Sequence, residues 1–171
     1  AAFTAVPVLA DAADEKIVNV AFTDQFTSVN PLDMDVTFIN LYSTSMGFLP
    51  LFQVGEGNVY TGALAESITT EDNQTFELTL KDEAVWSDGE PVTTDDVIFT
   101  ILKMTCPAVA NPHYDFTMFE GISDANLSEE GATEIPGLKK IDEKHMQFIV
   151  ETKMNMNTFL QNVRSEEHTS E

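Results

Sequence analysis

Apolar and polar residues alternate with a period of two in several separate stretches, and between them the period lengthens to that of a helix. Ile17-Val18-Asn19-Val20-Ala21-Phe22-Thr23 is rich in β-formers and predicts a strand. In Thr75–Lys81, Phe76, Leu78 and Leu80 should face a core while Thr75, Glu77 and Thr79 face away. Asp142-Glu143-Lys144 reads as a hairpin turn, with Glu134–Ile141 leading into a strand before it and Met146, Phe148 and Val150 alternating on the return strand. From Thr94 to about Thr105 the apolar stripe is Val97, Ile98, Ile101 and Leu102, a helical spacing that Pro107 ends. Residues from about Phe38 to Phe52 predict a helix broken near Pro50, and Asn157–Val163 begins another. Gly55, Gly57 and Gly62 punctuate a loop or short hairpin, and a short helix is expected near Tyr114–Gly121. Helices mixed with hairpins, rather than strict strand–helix–strand units, make the fold class α+β.

The most informative segment is Trp86-Ser87-Asp88-Gly89-Glu90-Pro91-Val92-Thr93-Thr94-Asp95-Asp96-Val97. Asp88-Gly89 is a turn dipeptide, because glycine tolerates φ > 0 and the Asp side chain can bond its own backbone. Pro91 fixes its own φ and pushes Glu90 toward an extended conformation. Thr93 should cap the following helix, with Asp96 at capping-box spacing. Asp95 and Asp96 place negative charge at the helix's positive end.

Composition narrows the partners. Of 171 residues, 43% are hydrophobic, enough to form a core. With 8 Lys and Arg against 29 Asp and Glu, the formal net charge is −21. Such a body repels nucleic acid and anionic membrane surfaces, so neither is expected as a partner. The charge serves solubility first, and would also attract cationic solutes or a basic partner surface. Cys106 is the single cysteine, which excludes an internal disulfide and a thiolate metal cluster. No run of 18 apolar residues offers a membrane-spanning helix.

Catalytic chemistry finds little support. Asp88, Glu90, Asp95 and Asp96 read as turn and cap carboxylates, although paired carboxylates keep a hydrolase as an alternative. His113, His145 and His168 lack metal-ligand spacing, and no nucleophile elbow or phosphate-cradling glycine loop is present. Residues 82–90 superficially suggest a calcium loop, but the oxygen ligands fall out of register. No cofactor or metal is expected, and a second alternative is an extracellular interaction domain without a ligand cleft.

The two ends read differently from the middle. Residues 1–12 are small and apolar, and Ala10-Asp11-Ala12 fits a signal-peptidase site, so they read as the remnant of a secretory signal. Residues 164–171, Arg164-Ser165-Glu166-Glu167-His168-Thr169-Ser170-Glu171, break the apolar periodicity and resemble a translated sequencing-library adapter rather than natural protein. The rival reading is a charged natural tail.

The segment from Trp86 to Val97 also resembles the signature segment of the family 5 solute-binding proteins, the peptide- and nickel-binding receptors of ABC importers. Gly62-Ala63-Leu64-Ala65-Glu66-Ser67, Thr75–Lys81 and Gly137-Leu138-Lys139-Lys140-Ile141-Asp142 resemble further segments of that family in the same order. Ile68 stands where the family usually has Trp. The resemblance covers roughly residues 17–163. It implies a type II periplasmic-binding-protein fold, with residues 13–163 forming the N-terminal part of lobe I and its inserted subdomain. It further implies a non-catalytic, secreted receptor that captures di- or oligopeptides at the periplasmic or extracellular face of the cytoplasmic membrane. Ligand would be enclosed between two lobes and delivered to the permease subunits by a monomeric receptor. In peptide-binding relatives lobe II supplies the acidic residue for the ligand's amino terminus. Lobe I contributes an extended segment, matched here by Met34-Asp35-Val36-Thr37-Phe38, which resembles the Thr-Thr-aromatic sequence of dipeptide-type relatives. Asp35, Thr37 and Phe38 are therefore the expected ligand-binding residues, Thr37 as a hydrogen-bond partner and Phe38 as an apolar wall, with Tyr114 as a cleft-edge aromatic. The same resemblance makes Trp86 a core residue of the strand–turn–helix unit, far from the cleft.

Overall fold

In the computed structural model, residues 19, 21, 25, 38–106, 109, 116–122 and 131–163 are described. Helix α1 spans Phe38–Gly47. Strands β1 (Phe52–Val54) and β2 (Tyr60–Gly62) pair antiparallel as a small hairpin around a 3-10 turn at Glu56–Asn58. The expected helix thus ends before Pro50, and the glycine-punctuated stretch forms the hairpin.

The main sheet holds β3 (Ala65–Thr69), β4 (Thr75–Leu80), β5 (Leu138–Lys140) and β6 (His145–Ile149) in the order β3-β4-β6-β5. All its ladders are antiparallel, and an irregularity between Ala65 and Ser67 shifts the β3–β4 register. Asp72 makes the β3–β4 turn, its carboxylate accepting the N–H groups of Gln74 and Thr75 at 2.8 and 2.7 Å. Those two bonds, Thr75 first, hold the Asp72 carboxyl below its usual range.

The register explains the core. Phe76 pairs with Phe148 and Leu78 with Met146, so the alternating apolar residues of β4 and β6 share one face. Phe76, Leu78, Leu80, Met146, Phe148 and Val150 are all buried. Helices α2 (Thr94–Met104) and α3 (Met156–Val163) add Val97, Ile101, Phe159 and Leu160 to the same cluster. The Phe76 and Phe159 rings stack with centroids 3.9 Å apart, and Phe148 lies 5.5 Å from Phe159. Each such side chain contributes roughly 1.5–3 kcal/mol through burial.

A 3-10 turn at Phe116–Met118 stands within the stretch expected to form a short helix, and sends buried Phe119 to an isolated bridge with Val150. Gly137 passes close to this junction. A Cβ there would lie 2.5 Å from the Ile149 carbonyl oxygen and 2.8 Å from the Glu120 nitrogen, so only glycine fits without backbone movement. Of the strand expected at residues 17–23 only Asn19 and Ala21 are described, and neither lies in a strand; the signal-like residues 1–12 and the tail 164–171 lie outside the described residues. None of the described helices is long and apolar enough to cross a membrane.

Candidate functional site

Three of the expected ligand-binding residues, Asp35, Thr37 and Tyr114, lie outside the described residues. Phe38 opens α1, and only its backbone is described. The geometry that can be built from side chains is that of the signature segment and what holds it.

That segment forms as its residues dictate. Val85 bridges Pro91, and the Val92 N–H donates to the Ala84 carbonyl at 2.9 Å. The Gly89 N–H donates to the Trp86 carbonyl at 3.0 Å, with Gly89 at φ 92°, and the Glu90 N–H donates to Asp88 Oδ1 at 3.1 Å. This is the expected Asp-Gly turn with the Asp side chain bonding its own backbone. At the helix start, the Asp96 carboxylate accepts from the Thr93 N–H at 2.7 Å and the Thr93 hydroxyl at 2.9 Å, closing the capping box.

Trp86 departs from the expectation of a core residue: it is 45% exposed. The extended backbone ends at Val85, and at Trp86 the chain enters the turn instead of continuing as a strand. Ala84 and Val92, one step further from the tip, take the buried positions. Trp86 therefore projects with Val85, itself 55% exposed, at the outer end of the loop.

The β5–β6 turn clasps the whole unit from outside. The Thr94 hydroxyl donates to the Asp142 carbonyl at 2.6 Å, and the Thr94 N–H donates to the Glu143 carbonyl at 2.9 Å. Thr94 is fully buried, and these bonds satisfy it. The Lys144 ammonium donates to the carbonyls of Val92 and Lys81 at 2.9 and 3.1 Å. Lys140 pairs with Asp95 in the first turn of α2. Within the turn, Asp142 Oδ1 accepts the N–H groups of Lys144 and His145, and His145 Nδ1 stands 2.8 Å from the same oxygen. The Lys144 N–H first, and then the His145 ring, hold the Asp142 carboxyl below its ordinary range. Sequence reasoning found the turn but missed this clasp. A buried threonine beside a capping threonine, and a lysine directly after a turn acid, carry no local signal of a partner 48 or 52 positions away.

Chemically the unit is a fastened scaffold. Among the described residues, no three His, Cys, Asp or Glu side chains gather as possible metal ligands. Asp88 and Asp96 are occupied with backbone hydrogen bonds, in keeping with turn and cap roles.

The family model for bacterial extracellular solute-binding proteins, family 5, matches residues 59–166 of this chain, which include the signature segment, the four-stranded sheet and α3. The chain belongs to this family. Among curated members, it is 30% identical over 76 residues to the periplasmic murein peptide-binding protein MppA of Escherichia coli, covering 44% of this chain and 14% of that protein. It is 28% identical over 97 residues to the periplasmic oligopeptide-binding protein OppA of Haemophilus influenzae, covering 57% of this chain and 18% of the relative. The matches thus span less than a fifth of each family 5 relative's length. The solved structure of the Escherichia coli murein tripeptide binding protein MppA superposes on 80% of this chain and 28% of its own, at TM-score 0.64 and 22% identity. That of Listeria monocytogenes OppA bound to peptide covers 80% and 28%, at TM-score 0.64 and 19% identity. Both superpositions establish the fold: the α+β arrangement seen here is a portion of the family 5 binding-protein architecture. The family consists of solute-binding proteins.

Proposed function

We propose that this chain is part of the solute-capturing receptor of an ABC importer, which binds di- or oligopeptides outside the cytoplasmic membrane and hands them to the permease. The observation that carries the reading is the family 5 match over residues 59–166, together with curated relatives whose names specify peptide binding. Residues 13–163 form part of lobe I with its inserted subdomain, and residues 1–12 are a signal remnant. The receptor acts by enclosure between lobes rather than by catalysis, and works as a monomer in the periplasm or at the outer face of the membrane.

In this reading Asp35, Thr37 and Phe38 line the cleft. Thr37 offers a hydroxyl to the ligand and Phe38 an apolar wall, with Tyr114 at the edge. Isothermal titration of the full-length protein with a broad set of short peptides tests this reading. Heat with peptides is expected; none with peptides, but heat with a sugar or metal chelate, would redirect the ligand class. Thr37→Ala and Phe38→Ala should each weaken the peptide by about tenfold, corresponding to roughly 1.4 kcal/mol.

A further inference from the structure

We propose that Asn73 is an acceptor site for an N-linked oligosaccharide, transferred from a lipid-pyrophosphate donor outside the cytoplasmic membrane. The inference rests on the receptor reading above, which brings the chain to that side of the membrane, and adds a covalent modification to it.

The sequence holds two Asn-x-Ser/Thr triplets, Asn73-Gln74-Thr75 and Asn126-Leu127-Ser128. That triplet is the acceptor pattern for N-glycosylation, and its setting is a surface loop of a secreted protein. Both triplets carry an acid two positions before the asparagine, Glu71 and Asp124. The same pattern of acid, asparagine and hydroxyl at alternate positions thus occurs twice. It fits a transferase whose acceptor groove holds the hydroxyl at one end and pairs a cation with the carboxylate at the other. Asn126 lies outside the described residues, so the structure bears on Asn73.

Asn73 stands exposed in the turn between β3 and β4, at φ 61°. The fold uses only its backbone: its N–H donates to the Thr70 hydroxyl at 3.0 Å, and its carbonyl accepts the Met154 N–H at 2.9 Å. Its side-chain amide makes no hydrogen bond among the described residues, so a sugar attached there displaces nothing. The left-handed backbone accounts for asparagine or glycine at this position, yet it asks for neither an acid at 71 nor a hydroxyl at 75. Glu71 is exposed and its carboxylate is likewise unengaged among the described residues, whereas Asp72 beside it is occupied by the Gln74 and Thr75 N–H groups. The Thr75 hydroxyl donates to Asp72 Oδ2 at 3.2 Å in the closed turn, a bond that must open before a transferase can hold it. Transfer is therefore timed to the emerging chain, before the hairpin closes. In that step the Asn73 side-chain nitrogen attacks the anomeric carbon of the donor sugar. A C–N bond forms, the C–O bond to pyrophosphate breaks, and the lipid pyrophosphate leaves with the electron pair. The amide nitrogen gives up one proton to a base of the transferase.

The test co-produces the exported full-length receptor with a bacterial N-oligosaccharyltransferase and its lipid-linked oligosaccharide. Intact mass and tandem mass spectrometry of the peptide carrying Asn73 give the readout, and that peptide should bear one oligosaccharide. Asn73→Gln and Thr75→Val should abolish the mass increase, Thr75→Ser should keep it, and Glu71→Gln should lower occupancy several-fold. Receptor folded before it meets the enzyme should be modified several-fold less than receptor modified during export. Peptide affinity by titration should not change in any variant, which guards against misfolding as the explanation. An exported receptor that binds peptide but carries no sugar at Asn73 would overturn the modification alone. Full occupancy in Glu71→Gln would overturn the role of the carboxylate. An exported, glycosylated receptor that binds no peptide would instead overturn the receptor reading and leave the modification standing.

Discussion

The hydroxyl of Thr94 donates to the carbonyl of Asp142 at 2.6 Å, joining the first residue of α2 to a hairpin turn 48 positions further along the chain. Thr94 is fully buried, so its hydroxyl has no recourse to water. Thr94→Val keeps the shape and removes the donor, leaving the Asp142 carbonyl without it. A loss of about 1–3 kcal/mol is expected by urea unfolding, with Thr94→Ser losing less. A valine variant as stable as wild type would show that the bond contributes nothing.

Lys144 offers a second probe of the same junction. Lys144→Met retains most of the apolar stem but strips the Lys81 and Val92 carbonyls of their shared donor. The cost should again be about 1–3 kcal/mol, since a charged donor is lost at a part-buried site. Hydrogen exchange should localise it: amides of residues 84–92 should exchange faster, while those of β4 and β6 stay protected. Uniform acceleration across the sheet would contradict the assignment.

The aromatic stack predicts a larger effect. Phe159 is fully buried against Phe76 and Phe148, and is the side chain that seats α3 on the sheet. Phe159→Ala should cost about 3–5 kcal/mol, and Phe159→Leu clearly less, measured by thermal and urea unfolding. If the alanine variant lost under 1 kcal/mol, α3 would not be held by this ring.

Acid sensitivity follows from the turn carboxylates. The Asp142 and Asp72 carboxyls lie below their unfolded value in the folded chain, through hydrogen bonds accepted from backbone N–H groups and, for Asp142, the His145 ring. A depressed carboxyl contributes stability that is fully present above its unfolded pKa of about 3.9, and is lost as pH falls through the folded value. Melting temperature should therefore decline below about pH 4. The decline should be shallower in Asp72→Asn and Asp142→Asn, and shallower still in the double variant. Parallel curves for wild type and double variant would place the acid sensitivity elsewhere.

Much of this architecture is legible in the residues because its causes are local. The alternation of Phe76, Leu78 and Leu80, the stripe from Val97 to Leu102, the Asp88-Gly89 turn and the Thr93–Asp96 cap each stand in the structure as their chemistry requires. What escapes a sequence reading is decided by where the chain bends and by pairings between distant segments. Trp86 is apolar and follows a bridged residue, yet the turn begins one residue too early for it to reach the core. Thr94, Lys144 and the Lys140–Asp95 pair acquire their roles only when β5–β6 folds over α2, which no spacing within either segment announces. The ligand-binding expectations came from resemblance rather than from spacing, and the side chains concerned, Asp35, Thr37, Phe38 and Tyr114, lie outside those described.

The clasp by Lys144 also sets an order of events during synthesis. A nascent chain can shape the Asp-Gly loop and wind the helix behind it soon after both leave the ribosome, yet neither can be locked down until the β5–β6 hairpin has been translated as well. Through that interval the exposed start of the helix depends on its own cap alone, so a slowed codon or a premature stop before position 144 would leave a shaped but unfastened intermediate for proteases and chaperones to find.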